Sequence, residues 1–178
     1  WPALKQVKDK ETVIKVPIQQ QTFQVKVRPG ERVIYFTDIS ELAELSRKYE
    51  EEKPALGLLV LDNVDEVTQG MDEQKRSVTI ANVTTVLSNW AANNQLYLRR
   101  TASDRFLLFL MQRDLERLEQ NRFDVLDAVK EATGHLKLPM TISIGIGSGS
   151  RDLVELGKMA ETALDIALGR GGDQVAVR

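Results

Sequence analysis

The stretch ALGLLVL, residues 55–61, carries no polar side chain and runs straight into Asp62 and Asn63. A continuous apolar run of this length reads as a short strand buried on both faces, which needs packed layers above and below it. It falls far below the roughly 20 apolar residues needed to cross a bilayer. Beyond Asn63 the chain alternates helices and strands. A helix is expected over 72–92, with Val78, Val83, Val86, Leu87 and Trp90 on one stripe, then a β-hairpin over 95–111. A second helix over 113–133 carries Leu115, Leu118, Val125, Leu126 and Val129. MTISIGIG supplies another strand, residues 152–169 another helix, and QVAV a last short strand. The order β-α-β-β-α-β-α-β begins with the split βαβ pattern, an antiparallel sheet backed by helices. The fold class is α+β, of α/β type.

Before residue 55 the pattern differs. Three strand-like runs, TVIKVPI, TFQVKV and RVIYFT, fill residues 12–37, with Pro29-Gly30 suiting a type II turn. Three strands alone have little to bury themselves against. A helix comes next, with Asp38 as its expected N-cap, Glu41 three residues on, and a stop before Pro54. Leu42, Leu45 and Tyr49 form a narrow apolar seam on it, suited to a partner helix or to packing within the chain. The division is therefore 1–37, a partial sheet; 38–54, a connecting helix; and 55–178, the α/β unit.

Composition removes whole classes of chemistry. The 178 residues contain no cysteine and a single histidine, His135, so disulfides, thiolate nucleophiles and imidazole metal clusters are excluded. A net charge of −2 gives no global field to attract nucleic acid. No methionine precedes Met71, and the abrupt start suggests a piece of a longer, soluble region. His135 reads as a loop residue and Trp90 as core filling. The glycines of GRGGDQ read as a helix stop into a turn, since no Lys-Ser/Thr comes after them.

Four segments in order carry a resemblance. LLVLDN, the hairpin turn ASDRF, MTISIGIG and AETALDIALGRGGDQVAV together resemble the GGDEF domain of diguanylate cyclases across residues 55–178. The resemblance implies a nucleotidyl-cyclase-like fold, with a metal held by Asp62, the backbone carbonyl of Asn63, and Asp104. It implies phosphate approach at Ala102 and Ser103. The departures matter more. Ala102 and Ser103 replace two glycines, adding Cβ atoms where substrate would approach the backbone. Arg105 stands where the family has an acidic residue, and a guanidinium neither ligates a cation nor accepts a proton. The family's guanine-reading positions fall on Gly70 and Thr79, its phosphate-binding positions on Leu168 and Gly172, and its inhibitory site on Asn93 to Leu96. Cyclase activity is expected to be absent.

LDNVDEVTQGMDE, RRTASDRF and GRGGDQ resemble the divergent GGDEF domain of GdpP-type cyclic-di-AMP phosphodiesterases. That resemblance implies a bacterial membrane protein whose cytoplasmic part joins a PAS sensor domain, the degenerate GGDEF domain and a DHH/DHHA1 phosphodiesterase. Residues 12–37 and the helix after them resemble the end of a PAS domain and its outgoing signalling helix. Haem, which a complete PAS domain of this group can hold, is not expected in so short a remnant. Mn²⁺ belongs to the DHH domain, which is not encoded: its motif needs adjacent histidines, and His135 is preceded by Gly134. Three readings are open. One is a regulatory module that binds ATP with Mg²⁺ at Asp62, Asn63 and Asp104 and homodimerises through helix 38–53 and the PAS strands. The others are a weak Mg²⁺-dependent ATPase, and a non-catalytic spacer. Asp104 equally suits a hairpin tip or an ion pair with Arg105.

Overall fold

The computed structural model describes residues 12–178, so the opening residues of the 1–37 segment lie outside the described residues. The chain divides into two compact units, the second beginning at Glu51.

In the first unit, β1 (Thr12–Ile18), β2 (Gln21–Arg28) and β3 (Val33–Asp38) form an antiparallel sheet in the order β1-β2-β3. Val25 on β2 is fully buried, yet every residue of β3 is exposed. The type II turn at Pro29-Gly30 does not form. Residues 29–31 make a short 3-10 turn and the left-handed residue is Arg32, with φ 56°, rather than Gly30. Proline at the first position presets the turn, and the left-handed residue falls two positions later than expected.

Helix α1 (Ser40–Glu51) comes next. Asp38 is the last residue of β3, not the N-cap. Its carboxylate accepts from the Ser40 amide at 2.9 Å and the Ser40 hydroxyl at 2.6 Å, while the Ile39 carbonyl takes the first helical bond from Ala43. The Ser40 hydroxyl also accepts from the Thr22 amide at 2.9 Å, tying helix start to sheet. These donors hold the Asp38 carboxyl below its usual value, the Ser40 hydroxyl most.

The second unit has β4 (Pro54–Leu61), α2 (Val64–Thr68), α3 (Glu73–Asn93), β5 (Tyr97–Arg100) and β6 (Arg105–Met111). It continues with α4 (Gln112–Gln120), α5 (Val125–Thr133), β7 (Ile142–Gly147), α6 (Leu153–Gly169) and β8 (Val175–Val177). The sheet order is β5-β6-β4-β7-β8; β8 alone joins its neighbour in parallel. Ala55, Leu59 and Leu61 of β4 face Leu110, Phe106 and Leu108 of β6 and Ile142, Ile144 and Ile146 of β7 in one core. Val83, Leu87 and Trp90 of α3 close it, with Leu115 and Leu118 of α4 and Val125 and Val129 of α5.

Helix α6 covers the other face. Gly145 and Gly147 make this possible: a Cβ on Gly145 would collide with the backbone of Ala160 and Leu164, and one on Gly147 with that of Leu156 and Ala160. All six residues of β7 are therefore buried, whereas Leu56 and Leu58 of β4, farther from α6, stay half-exposed. Two-sided burial holds for β7 and only for the last residues of β4.

Two helices depart from expectation. The single helix over 113–133 is broken between Gln120 and Val125, where Arg122 and Phe123 adopt left-handed φ values of 53° and 50°. The break turns Phe123 into the core and places Asp124 to accept from Trp90 Nε1 at 2.9 Å. Helix α3 starts as expected, with Asp72 capping the Lys75 amide, but Val78 is 53% exposed and lines a surface groove instead of the core.

Candidate nucleotide and metal site

One end of the sheet gathers the residues singled out by sequence. Strand β4 ends at Leu61, delivering Asp62 and Asn63; β6 begins just after Asp104; β7 and β8 start beside them. The Leu61 amide donates to the Asp104 carbonyl at 2.9 Å and the Asp62 amide to the Thr141 carbonyl at 3.0 Å. Adjacent strand ends thus carry Asp62 and Asp104 to the same edge.

Their side chains have different surroundings. The Asp62 carboxylate is turned to the segment after α6: its Oδ2 accepts from the Asp173 amide at 3.0 Å, and its Oδ1 is buried without a partner. Asp104 sits at the hairpin tip, where its Oδ1 accepts from the Ser103 hydroxyl at 3.4 Å. No ion pair joins it to Arg105 among the described residues.

Asn63 acts as a clamp. Its Nδ2 donates to the Pro139 carbonyl and its Oδ1 accepts from the Thr141 amide, both at 3.0 Å, which fastens the loop before β7 to the end of β4. Its own carbonyl, the group the resemblance gives to a metal, accepts the Val67 amide at 2.9 Å in the first turn of α2. A carbonyl has a second lone pair, so that bond leaves room for a cation.

At the hairpin tip the Thr101 and Ala102 amides donate to the Arg105 carbonyl at 2.9 and 3.2 Å. Arg100 folds over the turn: its Nε donates to the Ala102 carbonyl at 2.9 Å, Nη2 donates to the Ser103 carbonyl, and the guanidinium lies 6.0 Å from the Phe106 ring. Sequence reasoning passed over Arg100. A guanidinium two residues ahead of a polar turn can close such a tip, and that was the available signal. Arg105 points the other way, toward α6, into a cavity of about 390 Å³ lined with Val60, Thr101, Glu161 and Asp165.

A second cavity, about 480 Å³, lies between the start of α3 and the loop after α5, lined by Met71, Lys75, Val78, Thr79, Asn82 and His135. Thr79, one of the aligned guanine-reading positions, is on its wall. His135 is an exposed loop residue, as the sequence suggested, and also lines this groove.

The orphaned Asp62 oxygen fits a hard cation that brings its own water or phosphate oxygens, since Mg²⁺ commonly uses one or two protein carboxylates. No group of three His, Cys, Asp or Glu side chains that could hold a metal occurs among the described residues.

Among solved structures, the GGDEF domain of DgcB from Caulobacter crescentus, in complex with c-di-GMP, is similar with a TM-score of 0.61 over 77% of this chain and 85% of that one, at 17% identity. The active GGEEF domain of a diguanylate cyclase from Vibrio cholerae matches with a TM-score of 0.59 at 13% identity, over 76% and 89% of the two chains. Both likenesses establish the fold alone. Cyclic-di-AMP phosphodiesterase GdpP of Geobacillus thermodenitrificans is 45% identical over 98% of this chain, and GdpP of Bacillus subtilis 41% over 99%. Cyclic-di-AMP phosphodiesterase PdeA of Listeria monocytogenes is 39% identical over 96%. The chain spans about a quarter, 26%, of the length of each of these three relatives. A family model described as the GGDEF domain of cyclic-di-AMP phosphodiesterase GdpP-like proteins matches residues 59–178. With that match and those relatives, the chain belongs to the GdpP-like family, as its GGDEF-domain region.

Proposed function

We propose that this region regulates a cyclic-di-AMP phosphodiesterase to which it is joined, by binding ATP with Mg²⁺ and not by making a cyclic dinucleotide. The observation that carries the reading is the contrast between the two strand ends. Asp62 keeps a carboxylate oxygen with no partner, suited to a cation, while the neighbouring hairpin has an arginine at position 105 and a tip closed by Arg100. Binding groups remain; the turn's second carboxylate, which would hold a metal or accept a proton, does not. Asp62 and Asp104 would hold Mg²⁺, with the Asn63 carbonyl beside them, and Mg²⁺ would neutralise the phosphates. Ala102 and Ser103 flank the phosphates, and the groove beside Thr79 and His135 is the candidate for the base. Slow hydrolysis of the bound ATP is the accompanying activity.

In the longer protein, the first unit is read as the end of a PAS domain, with α1 passing its signal onward to this domain and to a DHH/DHHA1 catalytic domain on the cytoplasmic side of a bacterial membrane. No helix among the described residues is long and apolar enough to cross a membrane. Calorimetric titration of ATP with Mg²⁺ tests the nucleotide reading. Wild type should release or absorb heat saturably and Asp62→Ala should not. A flat titration for wild type, or unchanged affinity in the double variant Asp62→Ala/Asp104→Ala, overturns it.

A spacer or dimer role is favoured by a separate observation: Leu42, Leu45 and Tyr49 on α1 are 62%, 66% and 49% exposed, and β3 exposes Val33, Ile34, Tyr35 and Phe36.

A further inference from the structure

Helix α6 packs on β7 and the adjoining part of β4, and leaves β5 and β6 open on that side of the sheet. The strand registers set the residues there in rows. Tyr97 of β5 stands opposite Phe109 of β6, which stands opposite Leu56 of β4; the next row is Arg99, Leu107 and Leu58. These side chains point away from the core under α3, since they alternate with Ala55, Leu59, Leu108 and Leu110, which belong to it. Tyr97 is 57% exposed, and Phe109, Leu107, Leu56 and Leu58 are half-buried. A contiguous apolar patch of this kind on a sheet marks a contact surface.

Charges of opposite sign flank the patch. Arg99 is exposed on the β5 side. On the α6 side Glu161 and Asp165, one helical turn apart, line the cavity of about 390 Å³ that they share with Leu58, Val60 and Arg105. Arg105 is one cation against two carboxylates, so a negative charge is left over on this side. Gly145, which continues the row through Leu58, lies under Ala160 and Leu164, so Glu161 borders the row that Arg99 begins. Among the described residues Arg99, Arg105, Glu161 and Asp165 are in no ion pair. That row reads positive, apolar, apolar, negative.

We infer that this face binds a second copy of the chain, sheet on sheet, about a two-fold axis running along β6. Such an axis sets Leu107 on the partner's Leu107 and Phe109 on the partner's Phe109, and it carries Arg99 across to the partner's Glu161 while Glu161 receives the partner's Arg99. An axis across the strands would instead set Arg99 on the partner's Arg99, so charge selects the first arrangement. With stacked sheets about 10 Å apart, α6 stands as a wall beside the open strands, and the cavity against it receives the partner's β5 edge. The contact needs neither nucleotide nor the α1 seam, so it and the nucleotide reading fail separately.

Sedimentation equilibrium of the Leu45→Ser chain, in which the α1 seam is weakened, tests it. That chain should still associate to a dimer at high concentration. Arg99→Glu and Glu161→Arg, each added to it, should raise the dimer Kd about tenfold or more, because every dimer holds two such pairs and each turns from attraction to repulsion. An equal mixture of the two variants should regain the original affinity, since both pairs between unlike chains again have opposite signs. Ser88→Arg, on the exposed side of α3 across the sheet, should leave association unchanged. The urea midpoint of each variant shows that it is folded; Arg99→Gln and Glu161→Gln, which only remove charge, replace a reversal that unfolds and should weaken the dimer about threefold. A Leu45→Ser chain that stays monomeric overturns the inference. So does a Kd unmoved by substitutions at both Arg99 and Glu161, or a loss that mixing the two reversals does not repair.

Discussion

Asn63 grips the chain on both sides of Met140: its amide nitrogen donates to the Pro139 carbonyl and its amide oxygen accepts from the Thr141 amide, each over 3.0 Å. The clamp sets where β7 begins relative to the end of β4, and so places Asp62 beside Ser143. Asn63→Ala removes both bonds and leaves two backbone groups seeking partners. It should lower stability by about 2 kcal/mol, read as a lower urea midpoint with unchanged slope. Asn63→Asp retains the acceptor and should cost less.

Gly145 lies under the backbone of α6. Gly145→Ala forces the helix off the sheet because its added Cβ meets main chain at Ala160 and Leu164, which cannot rotate away. A loss of about 3 kcal/mol is expected, against a much smaller effect for Gly157→Ala, where an added Cβ meets nothing. Chemical denaturation of the two variants side by side gives the comparison.

Arg105→Glu should not create a diguanylate cyclase. It restores one carboxylate, but Ala102, Ser103, Gly70, Thr79, Leu168 and Gly172 still occupy the positions that the resemblance gives to substrate binding. Chromatography of GTP incubations should detect no cyclic dinucleotide from wild type or variant.

Lys130 couples α5 to the turn before β8. The hydrogen bond it donates to the Asp173 carboxylate raises its pKa above the usual 10.5; partial burial opposes this, and the charges of Asp173 and Asp127 add to the rise. A raised folded-state pKa means that the associated stability is complete below the unfolded value and is lost as pH climbs through the folded one. The wild type should therefore lose stability on going from pH 9 to pH 11 more steeply than Lys130→Met, with the side chain's 34% exposure keeping the difference small. Urea midpoints across that window measure it.

The α1 seam makes an assembly prediction. Sedimentation equilibrium of the wild type should fit a dimer, and Leu45→Ser, at the most exposed of the three seam positions, should shift it toward monomer. A monomeric wild type at high concentration removes the dimer reading.

Local chemistry was enough for the elements and for the family. An uninterrupted apolar run announced β4, the apolar stripe marked α3, and LLVLDN, ASDRF, MTISIGIG and AETALDIALGRGGDQVAV in order identified the GGDEF fold. Those signals act within a few residues, so they survive in the linear chain. The break between α4 and α5 did not, because it depends on Phe123 finding room in a core assembled from distant strands and on Asp124 reaching Trp90. Nor could periodicity tell that Val78 would border a groove, since one stripe on a helix does not say how far the partner layer extends. The bond between the Asp173 amide and the Asp62 carboxylate was equally hidden. Its partners stand 111 positions apart along the chain, and what joins them is the return of the chain after α6 into β8. Only the packed sheet end decided that the Asp62 carboxylate would take its hydrogen bond from the residue after Gly172, where the absence of a Cβ leaves the space.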